Sequence, residues 1–125
     1  MRTASIRVDG VEYPLCFSAL VVRDATDFFG GISEMYDAMD DANQARRLDA
    51  TIRVVSMMMS GGAAYAQVRG LPHPDPLSYE ALYATCTLGD LAALRGAVVE
   101  TVNRGSAVHV EAEPGKNGAA TQGGA

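Results

Sequence analysis

The stretch "IRVDGVEYPLCFS" (Ile6–Ser18) decides how the chain begins to fold. Asp9-Gly10 is a two-residue turn signal, because both central positions of a type I′ turn need positive φ. That turn sets a register. Val8 faces Val11, Arg7 faces Glu12 and Ile6 faces Tyr13. Ile6, Val8, Val11, Tyr13, Leu15 and Phe17 then share one face, and the Arg7–Glu12 pair sits on the other. Pro14 has no N–H to give a ladder, so its strand is an edge or ends there. The expectation is a hairpin over Ser5–Cys16. A lone hairpin is only marginally stable in water. It must pack on helices or pair with another copy.

Everything after it reads as helix. Ser18 is placed as an N-cap with Phe17 before it as a hydrophobic staple. The first helix runs to Phe29, and Gly30-Gly31 ends it. Ser33 is the expected cap of a short helix, "EMYDAMDD", with Met35, Met39 and Tyr36 inward. The longest helical pattern is "ANQARRLDATIRVVSMMMS", where Leu48, Ile52, Val55 and Met59 follow one apolar stripe. Gly61-Gly62 is expected to break or loosen it, with "AAYAQVRG" continuing as far as Gly70. "LPHPDP" cannot be helical with three prolines in six residues. Ser78 caps the next short helix. Thr87, with Asp90 three residues on, caps the last, whose stripe is Leu91, Leu94, Val98 and Val102 and which Gly105 ends. The reading is a mainly α protein: an N-terminal β-hairpin, four to five helices over residues 1–105, and a flexible Gly/Ala-rich tail over 106–125. "AVHVE" before the tail end has the composition of a short strand.

Composition narrows the function classes. The chain has 125 residues, 48% of them hydrophobic, and a net charge of −5. That size suits one domain. No basic patch stands out, which argues against nucleic acid, and with no Trp and three Phe a base-stacking platform is poorly supported. No apolar run approaches the roughly 20 residues of a membrane span. "MRTASIRVDG" lacks the apolar core of a secretory signal. Cys16 and Cys86 have neither metal nor redox spacing and read as buried reduced thiols of a cytosolic protein, with a disulfide as the alternative.

Chemistry is hard to find. His73 lies between prolines, and His109 lies far from it; neither has a ligand partner at metal-binding spacing. No nucleophile motif, phosphate loop or dinucleotide fingerprint is present. Asp40 and Asp41 are adjacent, so they point different ways on a helix. The expectation is a protein that is not an enzyme and uses no metal or cofactor. Methionine is the suggestive feature. Five of six lie between Met35 and Met59, and Met57, Met58 and Met59 are consecutive. Three successive helical residues cannot all face one core. Methionine's flexible thioether suits surfaces that accept varied apolar partners. Core packing, self-association and client binding all remain open for it. The candidate partner-binding or self-association residues are Met35, Met39, Met57, Met58, Met59, Val11 and Tyr13.

The order of parts resembles a family. "IRVDGVEYPLCFSALVVRDATDFFGGISEM" is similar to the start of tail assembly chaperones of long-tailed bacteriophages and prophages. "LSYEALYATCTLGDLAALRGAVVETVNRG" is similar to their last helices. The resemblance covers residues 4 to 105 and is one of elements, not of a catalytic signature. It implies a homo-oligomer in the bacterial host cytoplasm that binds the tape-measure protein and keeps it soluble. It also implies help in recruiting the tail-tube protein and absence from the mature virion. A minor structural tail or head–tail connector protein, and a small non-phage bacterial adaptor, are the alternatives.

The family often makes a longer product by programmed frameshifting near the end of the gene. Gly115-Lys116 can be encoded GGG-AAA, on which a ribosome slips back one base. The alternative for this segment is a polar tail that aids solubility. If frameshifting operates, sequencing the gene finds a slippery heptamer at these codons and an overlapping frame beyond. Any other codons there remove the prediction.

Overall fold

The computed structural model describes residues 3–106 and 110–112. The expected tail, His109 and most of "AVHVE" lie outside them. The described chain is a two-stranded antiparallel hairpin, β1 (Ala4–Val8) and β2 (Val11–Leu15), followed by helices. These are α1 (Ala19–Phe29), α2 (Ile32–Met39), α3 (Gln44–Val68), α4 (Tyr79–Thr85) and α5 (Leu91–Gly105), with a 3₁₀ turn at Leu88–Asp90 leading into α5. No single helix among the described residues is long and apolar enough to cross a membrane.

The hairpin has the register its turn dictates, Val8 opposite Val11 and Ile6 opposite Tyr13. Asp9 and Gly10 both take positive φ, at 49° and 82°. The inward face is buried toward the open end, at Ala4, Tyr13 and Leu15, and opens toward the turn, where Val11 is 43% exposed. The turn end projects past the helices, so alternation alone overstates burial there. Arg7 and Glu12 face each other 3.6 Å apart on the solvent side, a pair worth little when so exposed.

Local capping chemistry holds at most boundaries. Gly30 is left-handed at φ 102° and its N–H closes α1 onto the Thr26 carbonyl. The Asn43 side chain accepts from the Arg46 N–H at the start of α3, and the Ser78 hydroxyl does the same for Ala81 at α4. The Asp90 carboxylate takes the Thr87 N–H at 2.8 Å. Two expectations differ. Gly31, not Ser33, is the N-cap of α2, and Ser18 caps α1 by position without a side-chain hydrogen bond.

The larger correction concerns Gly61-Gly62. α3 runs through both without a break, for 25 residues. The glycines are there because the end of β2 crosses the helix against its backbone. A Cβ on Gly62 would overlap the Pro14 carbonyl and stand 2.9 Å from the Leu15 nitrogen. One on Gly61 would overlap a Val21 methyl and stand 3.1 Å from the Cys16 oxygen. The Cys16 N–H donates to the Met58 carbonyl at 3.1 Å, tying hairpin to helix directly. Gly105 plays the same part in α5. A Cβ there would meet Phe17, at 2.6 Å from its Cβ and 2.8 Å from its carbonyl oxygen.

α3 is the axis of the molecule. β2, α1, α2, α4 and α5 all pack on it. It is therefore buried round most of its middle, at Ile52, Val54, Val55, Met58 and Met59 among others, rather than along one stripe. Thr51 and Thr101 are fully buried. Each satisfies its hydroxyl on the carbonyl one turn back, Arg47 at 2.8 Å and Ala97 at 2.6 Å.

Gly62→Ala should therefore cost about 3 kcal/mol, the upper end for overpacking a tight contact. Gly96→Ala should instead stabilise by about 0.5–1 kcal/mol, because that exposed helical glycine has nothing within 4 Å of a new Cβ. Urea denaturation of the two variants measures both signs.

Candidate functional site

The structure sends the candidate residues to different places. Met35, Met39, Met58 and Met59 are fully buried, and Tyr13 is buried with them in one core with Leu15, Val21, Ile52, Leu82, Leu94 and Val98. In this arrangement they face no partner. The physical reason is the central position of α3, which puts elements on both the Met58 and Met59 sides. Met35 and Met39, one turn apart on α2, close the same core. Met59 has a second task. Its sulfur accepts the Leu77 N–H at 3.1 Å, pinning the end of the proline-rich loop. Met57 is half-buried at the core's margin, and Val11 is exposed at the hairpin tip.

The remaining reactive groups are quiet. Cys16 is buried and Cys86 half-buried, with no disulfide. Burial pushes the Cys86 thiol above its ordinary pKa, and the nearby charges of Asp90 and Asp9 push the same way. Little thiolate exists there at neutral pH. His73 Nδ1 lies 2.9 Å from the Pro74 carbonyl. No group of three or more His, Cys, Asp or Glu able to hold a metal occurs among the described residues.

What the surface does carry is an aromatic column built from three helices. Phe28 at the end of α1 lies over the Arg53 guanidinium of α3, 4.6 Å from ring centroid to the guanidinium carbon. Tyr79 of α4 lies on it at 3.9 Å. Tyr83, one turn further along α4, stacks on Tyr79 with centroids 5.3 Å apart. Asp49 organises the group. It accepts from the Tyr79 hydroxyl and, at 3.4 Å, from Arg53 Nε. The hydrogen bond to Asp49 holds the Tyr79 phenol above its ordinary pKa, with burial adding to it. The phenol stays protonated and donating at any physiological pH.

The two ends of the column are open, Phe28 at 53% and Tyr83 at 45% exposed. Aromatic and Arg side chains of this kind concentrate binding energy at protein interfaces. They offer large apolar area while few torsions need to be frozen. Here Arg53 and Asp49 have already frozen part of it. The column has no group poised for bond-making chemistry. Its physical capacity is to take up an apolar side chain.

No family model matches this chain, and no curated protein or solved structure matches it.

None of Phe28, Arg53, Tyr79 and Tyr83 is singled out by sequence reasoning. Half the signal is local. Asp49–Arg53 and Tyr79–Tyr83 are both spaced i, i+4, so each pair shares a helix face. That α4 lays its pair across that of α3, with Phe28 closing the end, is set by tertiary packing.

Met58→Ala should cost about 2–5 kcal/mol, as large-to-small changes in a packed core do. Met57→Gln, at the margin, should cost no more than about 1 kcal/mol. Thermal and urea unfolding of both variants separates core from surface methionine.

Proposed function

We propose that this protein is a tail assembly chaperone of a long-tailed bacteriophage or prophage, a binding protein and not an enzyme. Its client is the tape-measure protein, whose long helices it keeps soluble before the tail is built. The tail-tube protein is a further partner, and the chaperone works as a homo-oligomer in the host cytoplasm and leaves before the virion matures. The resemblance of residues 4–105 to that family suggests the role. The observation that carries it is the Phe28–Arg53–Tyr79–Tyr83 column, whose exposed rings are the kind of surface such a role needs. A client helix with an apolar stripe aggregates in water. Covering that stripe calls for a complementary apolar surface on a rigid support, repeated in several copies for avidity. The buried methionines support the scaffold, and the column meets the client.

Co-expression tests this. The tape-measure protein should be soluble with the wild-type chain and largely insoluble without it. Phe28→Glu with Tyr83→Glu should leave the chaperone folded, since both side chains are about half exposed, and reduce the soluble client several-fold. A client equally soluble alone sinks the proposal. Recovery of this chain in purified virions would move it to the structural tail proteins instead.

A further inference from the structure

A second surface lies at the opposite end of α3 from its Gly61-Gly62 crossing. The starts of α3 and α5 flank a groove of about 390 Å³. Met39 and Leu91 line it, with Leu88 and Ala92 beside them and the guanidiniums of Arg47 and Arg95 at its sides. No carboxylate lines it, although the chain as a whole carries a net charge of −5.

Three features make this an unusual place for arginine. Arg46 and Arg47 stand in the first turn of α3, which has no acidic residue. Cations at a helix N-terminus oppose the helix dipole, and broken local rules concentrate at functional sites. The neighbouring carboxylates are already engaged. Asp40 sits on Arg95 Nη1 at 2.8 Å, without a directed hydrogen bond. The Asp41 carboxylate takes the Asn43 N–H, and that of Asp90 takes the Thr87 N–H. Arg47 itself makes one hydrogen bond, Nη1 to the Asp41 carbonyl at 2.8 Å. The rest of its fork is left to face an incoming acceptor. Meanwhile Leu88 is 47% exposed, on the wall of the same groove.

We propose that this groove docks a helix of a partner protein, one that presents a leucine-like side chain flanked by carboxylates. The apolar wall takes the side chain, and Arg47 and Arg95 take the carboxylates through charge-assisted hydrogen bonds. A bare inorganic anion would satisfy the arginines but leave Leu88 and Leu91 wet. A purely apolar helix would bury the arginine fork unpaired, which is costly. Only the combined chemistry matches the lining. The client-binding role proposed above supplies the context on which this rests. The groove adds selectivity: the aromatic column accepts apolar stripes in general, and the groove chooses those edged with acid.

The probe is a labelled amphipathic peptide with Leu at helical i, i+3, i+4, i+7 spacing and Glu beside the stripe. Its twin has Lys in place of every Glu. Fluorescence anisotropy with the full chain should show the Glu peptide binding at least about tenfold more tightly than the twin. Arg47→Glu should reverse that order, Arg47→Gln should abolish the preference, and Leu88→Glu should weaken the Glu peptide about tenfold or more. Circular dichroism confirms that the variants fold. Equal affinity for the two peptides, or no effect of Arg47→Gln and Leu88→Glu, overturns the proposal. So does inorganic phosphate binding without the peptide, which marks a small-anion site. An oligomer that Leu88→Glu dissociates while the peptide fails to bind also overturns it, since the groove then holds a second copy. Peptide binding with no protection of the tape-measure protein leaves the groove standing and removes the client role. Protection that survives Leu88→Glu and Arg47→Gln does the reverse.

Discussion

The end of β2 lies directly on the backbone of α3, and the rest of the structure is arranged around that contact. Two main chains can come this close only where one lacks side chains, and Gly61 and Gly62 supply the gap. The Cys16 N–H to Met58 carbonyl bond then fixes the hairpin's distance and rotation on the helix. Once β2 is set, the chain leaves it at Phe17, is held against Gly105 of α5, and enters α1 beside Val21. One pair of glycines thus positions a hairpin that could not be stable alone and threads the chain between the two longest helices.

A helix held at the centre in this way has few solvent-facing turns. That explains the chemistry of its middle. Consecutive methionines on a surface helix would leave at least one exposed to a partner. On a central helix, neighbours lie on several sides, and Met58 and Met59 are both absorbed. Unbranched, flexible side chains fill the irregular space left between a hairpin and helices that meet at different angles. The same property that suits methionine to promiscuous surfaces suits it to this core.

Function then falls to what the core does not use. The aromatic column sits where α1, α3 and α4 meet, held by one carboxylate that receives both a phenol and a guanidinium. The groove sits where α2, α3 and α5 meet, with arginines at a helix start that electrostatics does not favour. Both surfaces are junctions of several elements. Both combine an apolar patch with arginine, so each excludes water over part of its area while keeping a directional contact.

The local part of the fold is legible in the residues. Asp9-Gly10 determines the hairpin and its register, because only positive-φ conformers close that turn. Gly30, Asn43, Ser78 and the Thr87–Asp90 pair mark helix ends, because their energetics involve only the few residues around each boundary. The meaning of Gly61-Gly62 is not legible in the same way. Glycine breaks a helix that stands alone and admits a crossing chain in a helix that is packed, and the residues are identical in the two cases. Which methionines are buried, why Gly105 faces Phe17, and how Phe28, Arg53, Tyr79 and Tyr83 form one column are likewise settled by what packs against what. Local preferences are energies of a few neighbouring residues. Close backbone approach and shared surfaces are energies between segments far apart in the chain, and these exist only once the tertiary structure has brought the segments together.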